Sequence, residues 1–157
     1  MGRSTIVCLA AVVAGSACQG SPPMETVRTG TILREELVGT FDATAFTMTV
    51  GENVTDLLAG GASFTITLEG SAQSSGRLVA PGIGIGGADV DADLDGAWTF
   101  EPVTRTVRFS QQAETFVGDA VFRPSRTEDF SSILLATSVA GDQFLGTPGL
   151  DVVLLRR

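Results

Sequence analysis

The sequence lacks histidine, lysine and tyrosine, and its ten basic residues are all arginine. Without an imidazole, the chain can form no Ser-His-Asp triad, no Cys-His pair and no His-ligated zinc site. Without a lysine amine, it can form neither a Schiff base nor the phosphate-binding site of a P-loop. We therefore expect a protein that is not an enzyme, with no catalytic residue, no metal site and no cofactor.

Positive charge is also scarce. Eighteen acidic residues give a formal net charge of -8 at pH 7. Such a chain repels nucleic acid, whose binding depends on basic residues that neutralise phosphate. Hydrophobic residues make up 43% of the 157 positions, which supplies a core and argues against disorder. We expect one globular domain and no nucleic-acid partner.

The amino terminus has the pattern of an export signal. One arginine precedes the apolar run at residues 6–14, and small residues follow at 15–17. The run is too short for a spanning helix, which needs about 20 residues. The sequence predicts a signal peptide at residues 1–17, a tether at 18–33 and the folded domain at 34–157, in an exported protein of the cell envelope.

The two cysteines allow no disulfide inside the mature domain, because Cys8 lies within the predicted signal. Cys18 follows Gly15-Ser16-Ala17 and resembles the lipidated cysteine of a bacterial lipoprotein, although Gly15 occupies a position that is usually a large aliphatic residue. Two outcomes stay open. Either Cys18 is acylated and the lipid anchor is the only membrane contact, or ordinary cleavage releases the protein.

Beyond the tether, apolar residues recur at every second position and turn residues interrupt them at short intervals. Phe64, Ile66 and Leu68 share one face of the clearest strand. About eight such strands predict an all-β protein, either an antiparallel up-and-down β-barrel or a two-sheet sandwich. Strand candidates and hairpins fall at residues 37–50, 63–69 with 76–80, 98–101 with 107–110, 120–123, 133–139 and 150–155, with a turn at 124–128.

Two local features are expected between the first strands. The apolar phase of residues 37–50 changes from odd to even positions, which predicts a bulge near Ala45. Asn53 resembles a helix N-cap and Gly60 a helix stop, so we expect the one short helix of the fold between them.

Two motifs have competing interpretations. Residues 82–87 match the G-x-G-x-x-G pattern of dinucleotide-binding folds, but no alternation of strands and helices surrounds it, which favours a loop at the rim of the sheet. Asp91, Asp93 and Asp95 with Gly96 match the first half of a calcium loop. Pro102 stands where that loop needs its glutamate, which favours a strand with its aspartates in water.

Aromatic residues are concentrated on the strand faces predicted to point inward. They form either a filled core or the wall of a cavity, since about eight strands enclose side chains or one small ligand. The candidate ligand-binding residues are Phe41, Phe46, Phe64, Ile66, Trp98, Phe100, Phe109 and Phe122.

These residues also carry a family resemblance. Gly39-Thr40-Phe41 resembles the G-x-W signature of lipocalins with Phe for Trp, Gly96-Ala97-Trp98 repeats the pattern, and residues 150–157 resemble the closing strand with its terminal arginine. The chain is thus similar to small bacterial lipocalin-like proteins. The resemblance implies an eight-stranded barrel whose mouth holds small apolar molecules, and a link between Phe41 and an arginine of the last strand.

The sequence therefore leads to one function and one alternative. We expect a non-enzymatic envelope barrel that binds a small hydrophobic molecule in the barrel or at its mouth. The alternative is a filled barrel that serves as a structural or protein-interaction module on the cell surface.

Overall fold

The computed structural model describes residues 31–141 and 148–157, so the predicted signal peptide, Cys18 and most of the tether lie outside it. The described residues form ten strands. They are β1 (Gly39–Val50), β2 (Asn53–Asp56), β3 (Ser63–Leu68), β4 (Gln73–Ala80), β5 (Val90–Asp93), β6 (Gly96–Glu101), β7 (Thr106–Gln111), β8 (Arg123–Arg126), β9 (Ile133–Val139) and β10 (Gly149–Arg156). Short helical segments occur at Arg34–Leu37 and Ile85–Gly87, both 3-10, and at α1 (Phe116–Asp119).

Eight of these strands form one antiparallel sheet in the order β7-β6-β4-β3-β1-β10-β9-β8, while β2 pairs with β1 and β5 pairs with β4. The sheet curls until β7 approaches β8, where Val107 and Phe122 exchange backbone hydrogen bonds of 2.8 and 2.9 Å. The result is a nearly closed up-and-down β-barrel. The predicted all-β barrel is confirmed, and the chain forms a single sheet in place of a two-sheet sandwich.

The alternation of the strands places apolar residues inside, as the sequence predicts. Phe64, Ile66 and Leu68 of β3 are each 1% exposed. The register of β1 against β10 shifts between Ala43 and Ala45, which confirms the predicted bulge. The extra residue reverses the sidedness of the strand, and so both Phe41 and Phe46 point into the core.

The expected helix between Asn53 and Gly60 is wrong. Asn53–Asp56 is strand β2, which returns along β1 across a tight turn in which Gly51 has a φ of 61°. The capping signal belongs instead to Asp56, whose carboxylate accepts hydrogen bonds from the backbone N–H groups of Leu58 and Ala59. Its Asx-type turn ends the strand and starts no helix, because the chain turns at once into β3.

The eighth strand also lies elsewhere than expected. Residues 120–123 were predicted as a strand and 124–128 as a turn, whereas β8 is Arg123–Arg126 and pairs with β9. Pro124 is tolerated there because β8 is the last strand of the sheet, where a missing N–H interrupts no second ladder. Phe122 precedes the strand and forms the β-bridge to Val107 of β7.

The two ends of the barrel differ. The 3-10 helix Arg34–Leu37 covers the end where β1 begins, and its own Leu37 is fully buried. We call this the closed end. The opposite end, which we call the mouth, is bordered by residues 81–89 after β4, residues 112–122 after β7 and the start of β10.

Candidate functional site

Most of the predicted ligand-binding residues fill the inside of the barrel. Phe41, Phe46, Phe64, Ile66, Trp98 and Phe122 are at most 1% exposed and belong to one core cluster. Phe109 is nearly as buried but also lines a cleft at the mouth. Phe100 is only partly buried and lines a smaller pocket at the closed end. The eight residues are therefore divided among the core and two separate surfaces.

Toward the mouth, the core consists of aromatic rings that contact one another. Phe116 of α1 lies 5.9 Å from Phe46 and 6.2 Å from Phe64, measured between ring centroids. Phe122 contacts Phe64 and Phe109 edge-to-face at 6.4 and 5.2 Å. Edge-to-face pairs of this kind each add about 0.5–1.5 kcal/mol beyond the burial of area. The rings hold α1 over the mouth and give the cleft an apolar base.

The cleft at the mouth has a volume of about 890 Å³. Its most buried lining residues are Phe109 and Leu150. Phe116 is partly buried and packs against the same core. Ile83 and Val90 add further apolar wall on the opposite side. The exposed lining residues include Asp89, Glu114 and Asp119, so an acidic rim surrounds an apolar floor.

One wall of the cleft is formed by residues 83, 84 and 88–90, which belong to or follow the glycine-rich segment at residues 82–87. Gly82, Gly86 and Gly87 all have positive φ, a conformation that side chains rarely adopt. The loop is tied down where the carboxylate of Asp89 accepts a hydrogen bond of 3.0 Å from the N–H of Gly82. The segment contains the 3-10 turn Ile85–Gly87 and leads directly into strand β5, where a dinucleotide-binding fold would begin an α-helix, which agrees with a rim loop.

The other wall is the single turn of α1. The hydroxyl of Thr115 caps it by accepting a hydrogen bond from the N–H of Val117. The side-chain amide of Gln111 donates to the carbonyl and the hydroxyl of Thr115, which fixes the orientation of that amide. The remaining oxygen, Gln111 Oε1, is buried without a hydrogen-bond partner. Phe116 escaped the sequence prediction because one helical turn has no periodicity to detect. Gln111 is the last residue of β7 and lies just beyond the strand predicted at residues 107–110.

The aspartates of the calcium-like motif face solvent from a strand. Asp91 and Asp93 belong to β5, and Arg77 on the neighbouring β4 lies 2.9 Å from the first carboxylate and 3.8 Å from the second. The hydrogen bond to Asp91 raises the pKa of the Arg77 guanidinium. Within the described ranges, no three acidic or other metal-ligating side chains converge on a point. The motif is therefore a strand with an ion pair on its outer face.

An arginine of the last strand is bonded to the 3-10 helix at the closed end. Arg156 of β10 stands opposite Phe41 of β1 and donates a hydrogen bond of 2.9 Å to the carbonyl of Glu36. A Cβ at Gly39 would meet Nε of Arg156 at 2.8 Å, so the glycine lets the guanidinium pass. The arginine of the last strand thus ties the barrel to the 3-10 helix.

Trp98, the aromatic of the second G-x-W pattern, lies at the same end. Its indole N–H donates to the carbonyl of Glu69 at 2.9 Å, and the guanidinium of Arg34 sits 4.7 Å from the ring centroid. This cation–π contact fixes the helix over the core. The closed-end pocket, of about 340 Å³, lies beside it and is lined by both apolar and charged residues, with Phe100, Arg105 and Phe130 among them.

Comparisons of the chain with protein-family models, with curated proteins and with solved structures find no match. The antiparallel, nearly closed barrel is compatible with a lipocalin-like fold. Among the residues that the structure describes, none of the helices has the length and hydrophobicity needed to cross a membrane.

Proposed function

We propose that this protein holds a small hydrophobic molecule in the cleft at the mouth of the barrel and acts without catalysis. The observation that carries the proposal is the cleft itself, with Phe109, Phe116 and Leu150 as its apolar floor. Ligand sites in proteins are concave and mostly apolar, with few polar groups, and commonly lie at the mouths of β-barrels.

The packing of the core supports the mouth over the interior. Inward side chains from both halves of the barrel belong to one core cluster, from Phe41 near the closed end to Phe46 and Phe64 near the mouth. A ligand inside would have to displace fully buried rings. A ligand at the mouth instead covers apolar surface that is already in contact with water, which is the favourable direction of the hydrophobic effect.

The alternative function is a filled barrel that serves as a structural or protein-interaction module. It is favoured by the same filled core and by three exposed apolar side chains at the closed end, Leu33, Val103 and Phe130. A partner that covers this end would protect it from water. A pull-down from envelope extract that recovers one stoichiometric protein, lost on substitution of Val103 and Phe130 by serine, would favour this alternative.

A dye titration tests the proposed function. N-phenyl-1-naphthylamine, an uncharged probe that fluoresces in apolar surroundings, should brighten and saturate with the purified domain. Phe116→Ala should weaken its affinity about fivefold, because the ring supplies a large part of the apolar floor. Phe130→Ala, the same truncation at the closed end, is the matched control and should leave the affinity unchanged.

Thermal unfolding of both variants shows that the comparison is made between folded proteins, since Phe116 also contacts Phe46 and Phe64. The mouth is not the binding site if the dye does not bind the wild-type protein, or if Phe116→Ala and Phe130→Ala change the affinity for the dye by the same factor.

We further propose that the protein is an exported bacterial lipoprotein of the cell envelope, related to lipocalins. The support is the signal-like residues 1–17 and Cys18, together with the arginine tie between β10 and the 3-10 helix. Intact mass spectrometry of the protein from its native envelope should show a chain that starts at Cys18 and carries acyl groups. A chain that starts there without acyl groups would contradict the anchor, and a chain that retains residues 1–17 would contradict cleavage and export.

A further inference from the structure

We propose that the ligand of the mouth cleft is a hydrophobic amine, an apolar body that carries a protonated amino group. This inference rests on the proposed function and adds the charge of the ligand to it. The cleft combines two chemistries that such a molecule also combines, an apolar floor and an anionic rim.

The rim of the cleft has charge of one sign. Asp89 comes from the loop after β4, and Glu114 and Asp119 come from the segment after β7, so acidic side chains border the cleft on two sides. All three are exposed, and no arginine stands among the described residues that line the cleft. The closed-end pocket differs, because Arg105 and Arg126 line it together with a single glutamate.

This arrangement selects by charge because the rim acts on a group held beside it. A cation near two or three carboxylates is attracted, and an anion in the same place is repelled. The apolar floor excludes water from one side and thereby strengthens both effects. An apolar ligand with a carboxylate or sulfate head would have to bring its charge next to like charges.

The unpaired amide oxygen of Gln111 agrees with a ligand that carries N–H donors. Gln111 lines the cleft, and its amide nitrogen is already engaged by Thr115, so the oxygen is the atom left without a partner. A buried acceptor without a donor is unfavourable, and a protonated primary amine has three N–H donors.

The experiment compares three probes with the same chain and different heads, namely decylamine, decanol and decanoate, each below its micelle concentration at pH 7. A primary amine is protonated at this pH, as the lysine side chain is. Displacement of N-phenyl-1-naphthylamine should require about tenfold less decylamine than decanol, and more decanoate than decanol. The preference should weaken in high salt, where the Debye length falls to about 3 Å at 1 M.

Two triple variants separate the rim from the net charge. Asp89→Asn, Glu114→Gln and Asp119→Asn together should bring decylamine and decanol to equal affinity, while asparagine at 89 still offers an acceptor to Gly82. Glu35→Gln, Glu69→Gln and Glu101→Gln remove the same number of charges at the closed end. This control should keep most of the preference for decylamine.

The outcomes distinguish the inference from the proposed function. If the dye binds and all three probes displace it equally, or if the closed-end control abolishes the preference as fully as the rim variant, the mouth remains a ligand site and the amine assignment is wrong. If neither the dye nor any of the probes binds, the proposed function fails and the inference fails with it.

Discussion

Gly96 shows how closely neighbouring strands approach at one corner of the barrel. It begins β6, where it stands opposite both Gln111 of β7 and Ser74 of β4. A Cβ built on it would overlap the carbonyl oxygen of Ser110 and lie 2.8 Å from Cα of Gln111. The crowding partner is backbone, which cannot move without breaking the β6–β7 ladder. Glycine at this position is therefore required by space.

Gly96→Ala should lower the free energy of unfolding by about 1–3 kcal/mol, the usual result of overpacking a tight site. Urea unfolding followed by the fluorescence of Trp98 measures the change. Gly70→Ala is the control, because a Cβ there would meet nothing within 4 Å and should change stability little. Equal stability of the two variants would mean that the backbones of β6 and β7 can move apart to accept the added methyl group at little cost.

At the scale of the elements, the 3-10 helix Arg34–Leu37 closes one end of the barrel and is bonded to the strands around it. The carboxylate of Glu36 accepts a hydrogen bond from the N–H of Leu33 and lies 2.6 Å from a guanidinium nitrogen of Arg126 at the end of β8. The bond from Leu33, followed by the contact with Arg126, holds the pKa of Glu36 below its ordinary value of 4.5. The ionised form of Glu36 is therefore the one that stabilises the position of the 3-10 helix.

Glu36→Gln should cost roughly 1 kcal/mol of unfolding free energy at pH 7, a value at the upper end for partly exposed ion pairs. A carboxylate with a lowered pKa stabilises the fold above pH 4.5, and its contribution is lost as the pH falls through the lower folded value. The difference between wild type and variant should thus shrink below pH 4.5. Glu35→Gln is the control, and a difference that stays constant with pH would exclude the carboxylate as its source.

The elements also show where sequence reasoning succeeds. Period-two alternation predicts β3, β9 and the bulge near Ala45, and the structure confirms all three. It succeeds there because alternation reports directly which side of the sheet each residue faces. It failed at Asn53–Asp56 and at Arg123–Arg126, where four residues are too few to show a period. In both places the strand is defined by its pairing, β2 with β1 and β8 with β9, which the side-chain pattern of four residues does not indicate.

At the scale of the whole molecule, the two ends of one barrel carry different chemistry. Arginines tie the helix at the closed end to the sheet, while carboxylates border the cleft at the mouth. The sequence predicts the barrel because the longer strands repeat the same period-two signal. It did not predict the cleft, because Ile83, Phe116 and Leu150 meet only when the turns after β4 and β7 and the start of β10 reach the same end. Such a meeting follows from the topology and leaves no local pattern.

The pairing of β10 joins segments of the chain that are far apart in sequence. β10 is the last of the described strands in sequence order, yet it lies between β1 and β9, and its neighbour Arg157 contacts Asp42 across 115 positions of sequence. Until β10 arrives, β1 lacks one neighbour and the ring has a second gap. Contacts of such long range form slowly. The barrel is therefore complete only when β10 has paired with both β1 and β9, and we expect this closure to be slower than the formation of the local hairpins.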